Sequence, residues 1–323
     1  MIKTSTKAFI GEHCESTASG TLLNHIGIEL SEALIFGLGQ GLGFIIWDMK
    51  CLNLPFIGGR IRPELLTRNL CRNLGLHLDI RETSSARKAW QNVRAEIDRG
   101  IPVGLKLDCY HLEYFSNKIH FAAHYVAMTG YDEKYAYLVD TRQQGSQQKV
   151  LLENLAAARS EKGPMASKNL SYTIAGEKPQ LSTPLICRAI SENAADYLNP
   201  PIKNIGYKGI LKTAQAVPGW LDRVKEPAEE LGLMAVFMEK AGTGGALFRN
   251  FYRDFLGEAC QLTGLDKFAA GHDQFKIIAG KWNQVADCLE QAGRTRNRKY
   301  LEQGSLLLQE IALLEKDAME KLL

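Results

Sequence analysis

Between Glu177 and Pro184 the chain changes its hydrophobic period, and that change limits what it can fold into. The segment is polar and carries Pro179 and Pro184, so neither a helix interior nor a central strand runs through it. Before it, short apolar or alternating runs are interleaved with helical patterns. After it, apolar residues recur at helical spacing through Ile186–Tyr197, Ile210–Gln215, Trp220–Val224, Glu229–Lys240, Leu247–Leu262, His272–Ala292 and Leu301–Leu323. The pattern predicts an α+β fold over residues 1–176, with helices packed on an antiparallel sheet, followed by a mostly α-helical domain over residues 185–323. A length of 323 residues suits two cores better than one.

Several function classes drop out early. A net charge of +3 is too small for a dedicated nucleic-acid surface. Arg294, Arg296, Arg298 and Lys299 form one basic cluster, read as a solvated helix end rather than a docking site. The seven cysteines, at 14, 51, 71, 109, 187, 260 and 288, include no C-x-x-C pair. Their spacing argues for reduced thiols in a cytoplasmic protein and against zinc, and neither a metal nor a cofactor is expected. Met1–Lys7 lacks the apolar core of a signal peptide, and no apolar run approaches the length of a membrane span.

The chemistry-bearing residues lie in the first half. Gly11-Glu12-His13-Cys14-Glu15-Ser16-Thr17-Ala18 places Cys14 at a loop-to-helix junction, with Ala18, Leu22, Leu23 and Ile26 at helical spacing behind it. A thiol there faces unpaired N–H groups and the positive end of the helix dipole, which favour thiolate; the competing reading is a small buried hydrophobe. Glu12 and Glu15 flank it and would oppose a thiolate unless they are engaged elsewhere. Gly37-Leu38-Gly39-Gln40-Gly41-Leu42-Gly43 matches neither nucleotide fingerprint, so a tight apolar turn lining a core or an acyl pocket is expected. Pro55–Arg60 reads as another glycine turn, with Arg60 either in a structural ion pair or against a substrate anion.

His77 falls on the polar phase of an alternating strand and reads as surface. A loop rich in Tyr110, His111, Tyr114 and Phe115 then precedes His124, which opens a strand. The turn Gly130–Lys134 leads back along Tyr135–Val139 to Asp140, as in a hairpin. Antiparallel pairing would set His124 beside Asp140, the arrangement in which a carboxylate fixes the tautomer of an imidazole. Cys14, His124 and Asp140, in that order, fit the logic of papain-like thiol catalysis.

The same stretches resemble the butirosin biosynthesis protein H N-terminal family. The resemblance rests on Gly11-x-His13-Cys14-Glu15-Ser16-Thr17, Leu30–Gly39, Phe56–Arg60, Asp108-x-Tyr110-x-Leu112-x-Tyr114, His124–Ala127, Gly130-Tyr131-Asp132 and Asp140. The helical remainder resembles, more loosely, a domain of unknown function that accompanies this family. The resemblance implies a papain-like cysteine peptidase fold, related to bacteriocin-processing peptidases, turned to acyl transfer. The family's named member moves an aminoacyl group from an acyl carrier protein thioester to an amine of an aminoglycoside. Carried over, Cys14 would take the acyl group, His124 would act as base, and Asp140 would orient His124. Papain-type sites place a Gln shortly before the Cys as an oxyanion donor, whereas Thr4–His13 contains neither Gln nor Asn. His13 and Gln40 are the substitutes considered, and Arg60 and Tyr110 the substrate-lining candidates.

Three functions follow. The first is an acyltransferase with a carrier-protein or CoA thioester as donor and an amine or hydroxyl acceptor, with the helical domain as lid, acyl pocket or homodimer surface. The second is a hydrolase on the same site. The third is a scaffold without catalysis, in which Cys14 would be no more reactive than Cys51 or Cys71.

Overall fold

The computed structural model describes every residue except 50, 51, 117 and 164, so Cys51 lies outside the described residues. The chain divides into two compact units, Met1–Ile35 with Pro63–Gln180, and Phe36–Arg62 with Leu181–Leu323. The class is α+β with a helical C-terminal region, as the change of period at 177–184 implies.

In the first unit the strands His77–Arg81, Ser171–Ala175, Val103–Leu107, His124–Tyr131, Tyr135–Val139 and Gln147–Leu151 lie side by side in that order. Every pairing is antiparallel, and Ile2–Lys3 adds a short pairing to His124–Tyr131. Val103, Leu105, Leu107, Val126 and Met128 form one buried layer with Val93 and Ile97 of helix Ala86–Asp98 and Leu155 of helix Leu152–Ser160. The strands alternate with period two and the helix with period near 3.6, so each contributes one apolar stripe to the layer. Ser85 caps helix Ala86–Asp98 by accepting from the Lys88 N–H at 3.3 Å. His77 is exposed, as its phase predicts.

Helix Cys14–His25 is buried over most of its surface, including Glu15, Ser16, Thr17, Ser19 and Thr21. Burying a polar helix costs least when its hydroxyls find partners, and those of Ser16, Ser19 and Thr21 do, although the buried Thr17 hydroxyl has none among the described residues. Ser16 donates to the His13 carbonyl at 3.0 Å and Thr21 to the Thr17 carbonyl at 2.9 Å. Ser19 bonds with Thr67 at 2.9 Å and lies 3.4 Å from the Tyr172 hydroxyl. Small residues at Ala18, Ser19 and Gly20 let the helix approach these neighbours closely.

The second unit combines the helices after Leu181 with the antiparallel hairpin Leu42–Trp47 and Phe56–Arg60. Residues 36–62, placed by the sequence pattern in the N-terminal domain, thus pack with the helical half. Asn193 donates to the Leu42 carbonyl at 3.0 Å and Asn204 to the Ile46 carbonyl at 3.0 Å. Arg223 clasps Asp48 through both terminal nitrogens, at 3.1 and 2.7 Å. Phe44 stacks on Trp282 with ring centres 5.8 Å apart. Phe56–Arg60, read from its glycines as a turn, is a strand because its backbone completes the ladder with Leu42–Trp47. The glycine-rich segment before it serves packing: a Cβ at Gly37 would overlap the Phe255 ring. Trp220–Val224 is the tighter 3-10 turn Val217–Asp222 rather than an α-helix.

The helices of this unit meet at a buried ion pair. Arg249 donates to Glu315 from Nε at 2.8 Å and from Nη2 at 2.9 Å, and both side chains are fully buried. The Trp282 indole N–H at 2.8 Å and the Tyr197 hydroxyl also donate to Glu315. Arg249 Nη1 reaches the carbonyls of Leu247 at 2.7 Å and Gly59 at 3.2 Å. A buried charge pair is tolerable only when its remaining donors and lone pairs are taken up in this way. Among the described residues, no helix is long and apolar enough to cross a membrane. At the cluster Arg294–Lys299, Arg294 pairs with Glu290 and Arg298 with Asp222, as expected of a helix end facing solvent.

Candidate active site

Cys14 is the first residue of its helix, and His13 takes the cap position with extended backbone angles. The loop entering the helix is held by Glu32, the first residue of helix Glu32–Leu38. Its carboxyl accepts from the backbone N–H groups of Glu12 and His13, both at 2.8 Å, and from the Ser16 hydroxyl at 2.6 Å. Burial pushes the Glu32 carboxyl up, against these three hydrogen bonds, and the nearby Glu12 charge adds to the rise. A Cβ at Gly11 would come within 2.8 Å of that carboxyl, so glycine is what lets the loop close on Glu32. Glu12 pairs with Arg142 at 3.4 Å, and the buried Glu15 accepts from the Thr67 N–H and hydroxyl at 3.2 and 3.0 Å. Both carboxylates beside the thiol are therefore engaged elsewhere.

His124 opens its strand, and Asp140 directly follows the partner strand Tyr135–Val139. The hairpin brings them together: His124 Nε2 lies 2.8 Å from Asp140 Oδ2. The same oxygen accepts from the Tyr114 hydroxyl at 2.7 Å, and Oδ1 accepts from the Thr141 N–H at 2.6 Å. The Asp140 segment is also tied to the nucleophile loop, because the Arg142 N–H donates to the Gly11 carbonyl at 2.8 Å. The Cys14 side chain is close enough to His124 to add to the influences that raise the imidazole. With Nε2 engaged by Asp140, Nδ1 is the nitrogen left to face the thiol. Phe115 sets its ring edgewise on the imidazole, with centres 5.2 Å apart.

The electrostatics follow from this wiring. Burial opposes a charged His124. The Asp140 carboxylate, the neighbouring Cys109, the hydrogen bond to Asp140 and the Cys14 side chain outweigh it, holding the imidazole well above its ordinary value. Burial likewise opposes an Asp140 carboxylate, but the His124 charge and the bonds from His124, Tyr114 and Thr141 win and hold it below the usual range. Burial and the Asp140 charge raise Tyr114 well above the ordinary phenol, so it stays a donor. Burial pushes the Cys109 thiol up to about 11 and the Cys71 thiol up to about 12, so both stay protonated at neutral pH.

The His13 N–H is committed to Glu32, so it is not a backbone oxyanion donor. Gln40 and Arg60 belong to the second unit. There the Gln40 amide donates to Glu192 at 2.6 Å, and Arg60 reaches the Ile61 carbonyl at 3.4 Å. Tyr110 is exposed and stacks on His120, with ring centres 4.1 Å apart. Tyr114, four residues on in the same Asp108-x-Tyr110-x-Leu112-x-Tyr114 motif, is the tyrosine that reaches Asp140. Glu32 and Phe115 were equally invisible to spacing, since nothing local links them to Cys14 or His124.

Residues 153–322, more than half of the chain, match the family model for a domain of unknown function, DUF4872. The chain belongs to the DUF4872 family. Residues 13–141, which run from the cap of the Cys14 helix through Asp140, match the model described as butirosin biosynthesis protein H, N-terminal. No curated protein matches the chain. Among solved structures, it is similar to the peptidase domain of Streptococcus ComA, described as a bi-functional ABC transporter involved in quorum sensing. The identity is 12%, over 56% of this chain and 100% of that one, with a TM-score of 0.34. It is also similar to a putative C39-like peptidase from Bacillus anthracis, at 15% identity over 55% of this chain and 98% of that one, with a TM-score of 0.37.

Proposed function

We propose that this DUF4872 protein is a cysteine-dependent acyltransferase. Cys14 takes an acyl group from a carrier-protein or CoA thioester and passes it to an amine or hydroxyl acceptor in secondary metabolism. The observation that carries the reading is an imidazole held by a buried carboxylate and influenced by the side chain of a cysteine at the first position of a helix. The match of residues 13–141 to a family named for butirosin biosynthesis supports a biosynthetic setting.

His124 Nδ1 takes the Cys14 proton, and the sulfur attacks the thioester carbonyl. The carbon–sulfur bond to the donor breaks as His124 returns the proton to the departing sulfur, so the donor leaves as a thiol and Nδ1 is free again. The acceptor then gives a proton to Nδ1 as its nitrogen or oxygen attacks the acyl carbon, and Cys14 departs as thiolate. Asp140 stays ionised throughout and steadies the imidazolium formed in each half-reaction. The Cys14 backbone N–H, at the helix start, supplies one donor to the oxyanion. Donor and intermediate are both thioesters, so the first exchange costs little, and exclusion of water decides transfer against hydrolysis.

Intact mass spectrometry after incubation with acyl thioesters tests this directly. The expected result is an acyl adduct that Cys14→Ala abolishes, discharged by an added amine to give an amide. Free acid formed at the same rate with or without amine would instead identify a hydrolase. No adduct with any thioester, together with no turnover, would remove the enzymatic reading.

A further inference from the structure

Away from Cys14, the fold gathers a second cluster of chemistry-bearing side chains in the first unit. His111 ends the 3-10 turn Cys109–His111, His120 lies in the loop before His124, and Glu161 follows helix Leu152–Ser160. One ligand-type atom from each lies within 4.8 Å of the other two. We propose that His111, His120 and Glu161 bind a divalent transition-metal ion of the zinc type, with Asp108 orienting His120.

Two imidazoles and a carboxylate form a donor set suited to Zn2+, leaving a fourth position for water. His111 Nε2 already lies 2.7 Å from Glu161 Oε2. Ligand atoms about 2.0–2.1 Å from a tetrahedral ion stand about 3.3 Å apart, so this pair opens only slightly to admit it. His120 Nδ1 lies 3.3 Å from Asp108 Oδ2. A proton on Nδ1 shared with that carboxylate leaves Nε2 as the lone-pair nitrogen, the carboxylate–histidine–metal arrangement that fixes a ligand's tautomer. Asp108 is buried and is itself held, accepting from the Tyr110 N–H at 2.9 Å and the Phe121 N–H at 3.3 Å. Tyr110 stacking on the His120 ring fixes its plane. Glu161 and Asp108 together balance a 2+ ion. The cysteine spacing that argues against zinc in the sequence is silent here, because these ligands come from three separate segments. The ion would brace the loop carrying Tyr114 and Phe115, which contact Asp140 and His124.

The test uses the full chain with Cys14→Ser, so that the thiol beside His124 cannot take the metal. Equilibrium dialysis against micromolar Zn2+ is expected to leave one equivalent bound. Co2+ is expected to give four-coordinate d–d absorption without a sulfur charge-transfer band. His120 is largely exposed, so His120→Ala is expected to keep the fold, verified by circular dichroism, and to lose at least tenfold in affinity. Asp108→Asn, which can still cap its turn, is expected to lose about 10–100-fold. Zn2+ should raise the melting temperature of the Cys14→Ser chain but not when His120→Ala is added. Unchanged binding in folded His120→Ala, a thiolate charge-transfer band, or no uptake would each overturn the site and leave a hydrogen-bonded surface cluster only.

Discussion

Asp140 has no solvent to stabilise its charge and depends on three neighbours instead, an imidazole, a phenol and a backbone N–H. Its carboxyl is held low, so what it adds to stability is present above the ordinary aspartate range and is lost as pH falls through its folded value. His124 has the opposite sign. Its folded value is raised, so its contribution is complete below the ordinary histidine value of about 6.5 and is lost as pH rises through the folded one. The alkaline limb of kcat/KM for the proposed acyl transfer should therefore lie well above about 6.5 in the parent protein. In Asp140→Asn it should move down by at least one pH unit, since the largest influence raising His124 is gone. An unmoved limb would show that Asp140 does not govern the imidazole. The places of Cys14, His124 and Asp140 in the fold were legible because each sits where local pattern is informative: a helix start, a strand start, the end of a hairpin. Tyr114 was not, because the loop that delivers its hydroxyl to Asp140 has no period to read.

At the scale of elements, the helix Cys14–His25 depends on a residue from the next helix. Glu32 holds the loop that enters it, accepting from the N–H groups of Glu12 and of the cap residue His13 and from the Ser16 hydroxyl, while the His13 side chain makes no capping bond. Glu32→Gln keeps one acceptor oxygen and turns an NH2 group toward the loop's N–H groups, leaving at least one of them without an acceptor. The expected loss is about 1–3 kcal/mol in urea unfolding, with a fall in kcat/KM as the Cys14 loop loosens. If stability is unchanged while activity falls, Glu32 acts on chemistry rather than on the cap. The hairpin from His124 to Val139 was readable from its alternation and its Gly130–Lys134 turn. Gln147–Leu151 was not: its Gln-Gln-Lys start is polar, and it becomes a strand because Tyr135–Val139 offers it a ladder. Phe56–Arg60 misled for the same reason, since tertiary pairing overrides the low strand preference of its two glycines.

For the molecule as a whole, the polar twice-proline segment marks a real change of structure but not the only crossing between units. The chain leaves the first unit at Phe36, returns at Pro63, and leaves again at Leu181. Sequence pattern could not show the first excursion, because a short strand pair looks the same whichever core it joins. A fragment of residues 185–323 therefore lacks its hairpin. Arg249 loses the Gly59 carbonyl, Asn193 and Asn204 lose the Leu42 and Ile46 carbonyls, and Trp282 loses the Phe44 ring. Phe36, Phe44 and Ile46 are almost wholly buried, and at about 1.5–3 kcal/mol each their burial contributes roughly 5–9 kcal/mol. That is comparable to the whole stability of a typical domain, about 5–15 kcal/mol. The fragment is expected to keep helical far-UV circular dichroism but to lose near-UV signal and cooperative melting. A second chain of residues 36–62 joined ahead of residue 181 by a flexible linker should restore both. Cooperative melting of the 185–323 fragment by itself would mean that the helices alone form the second core and that the hairpin is only an ornament on it.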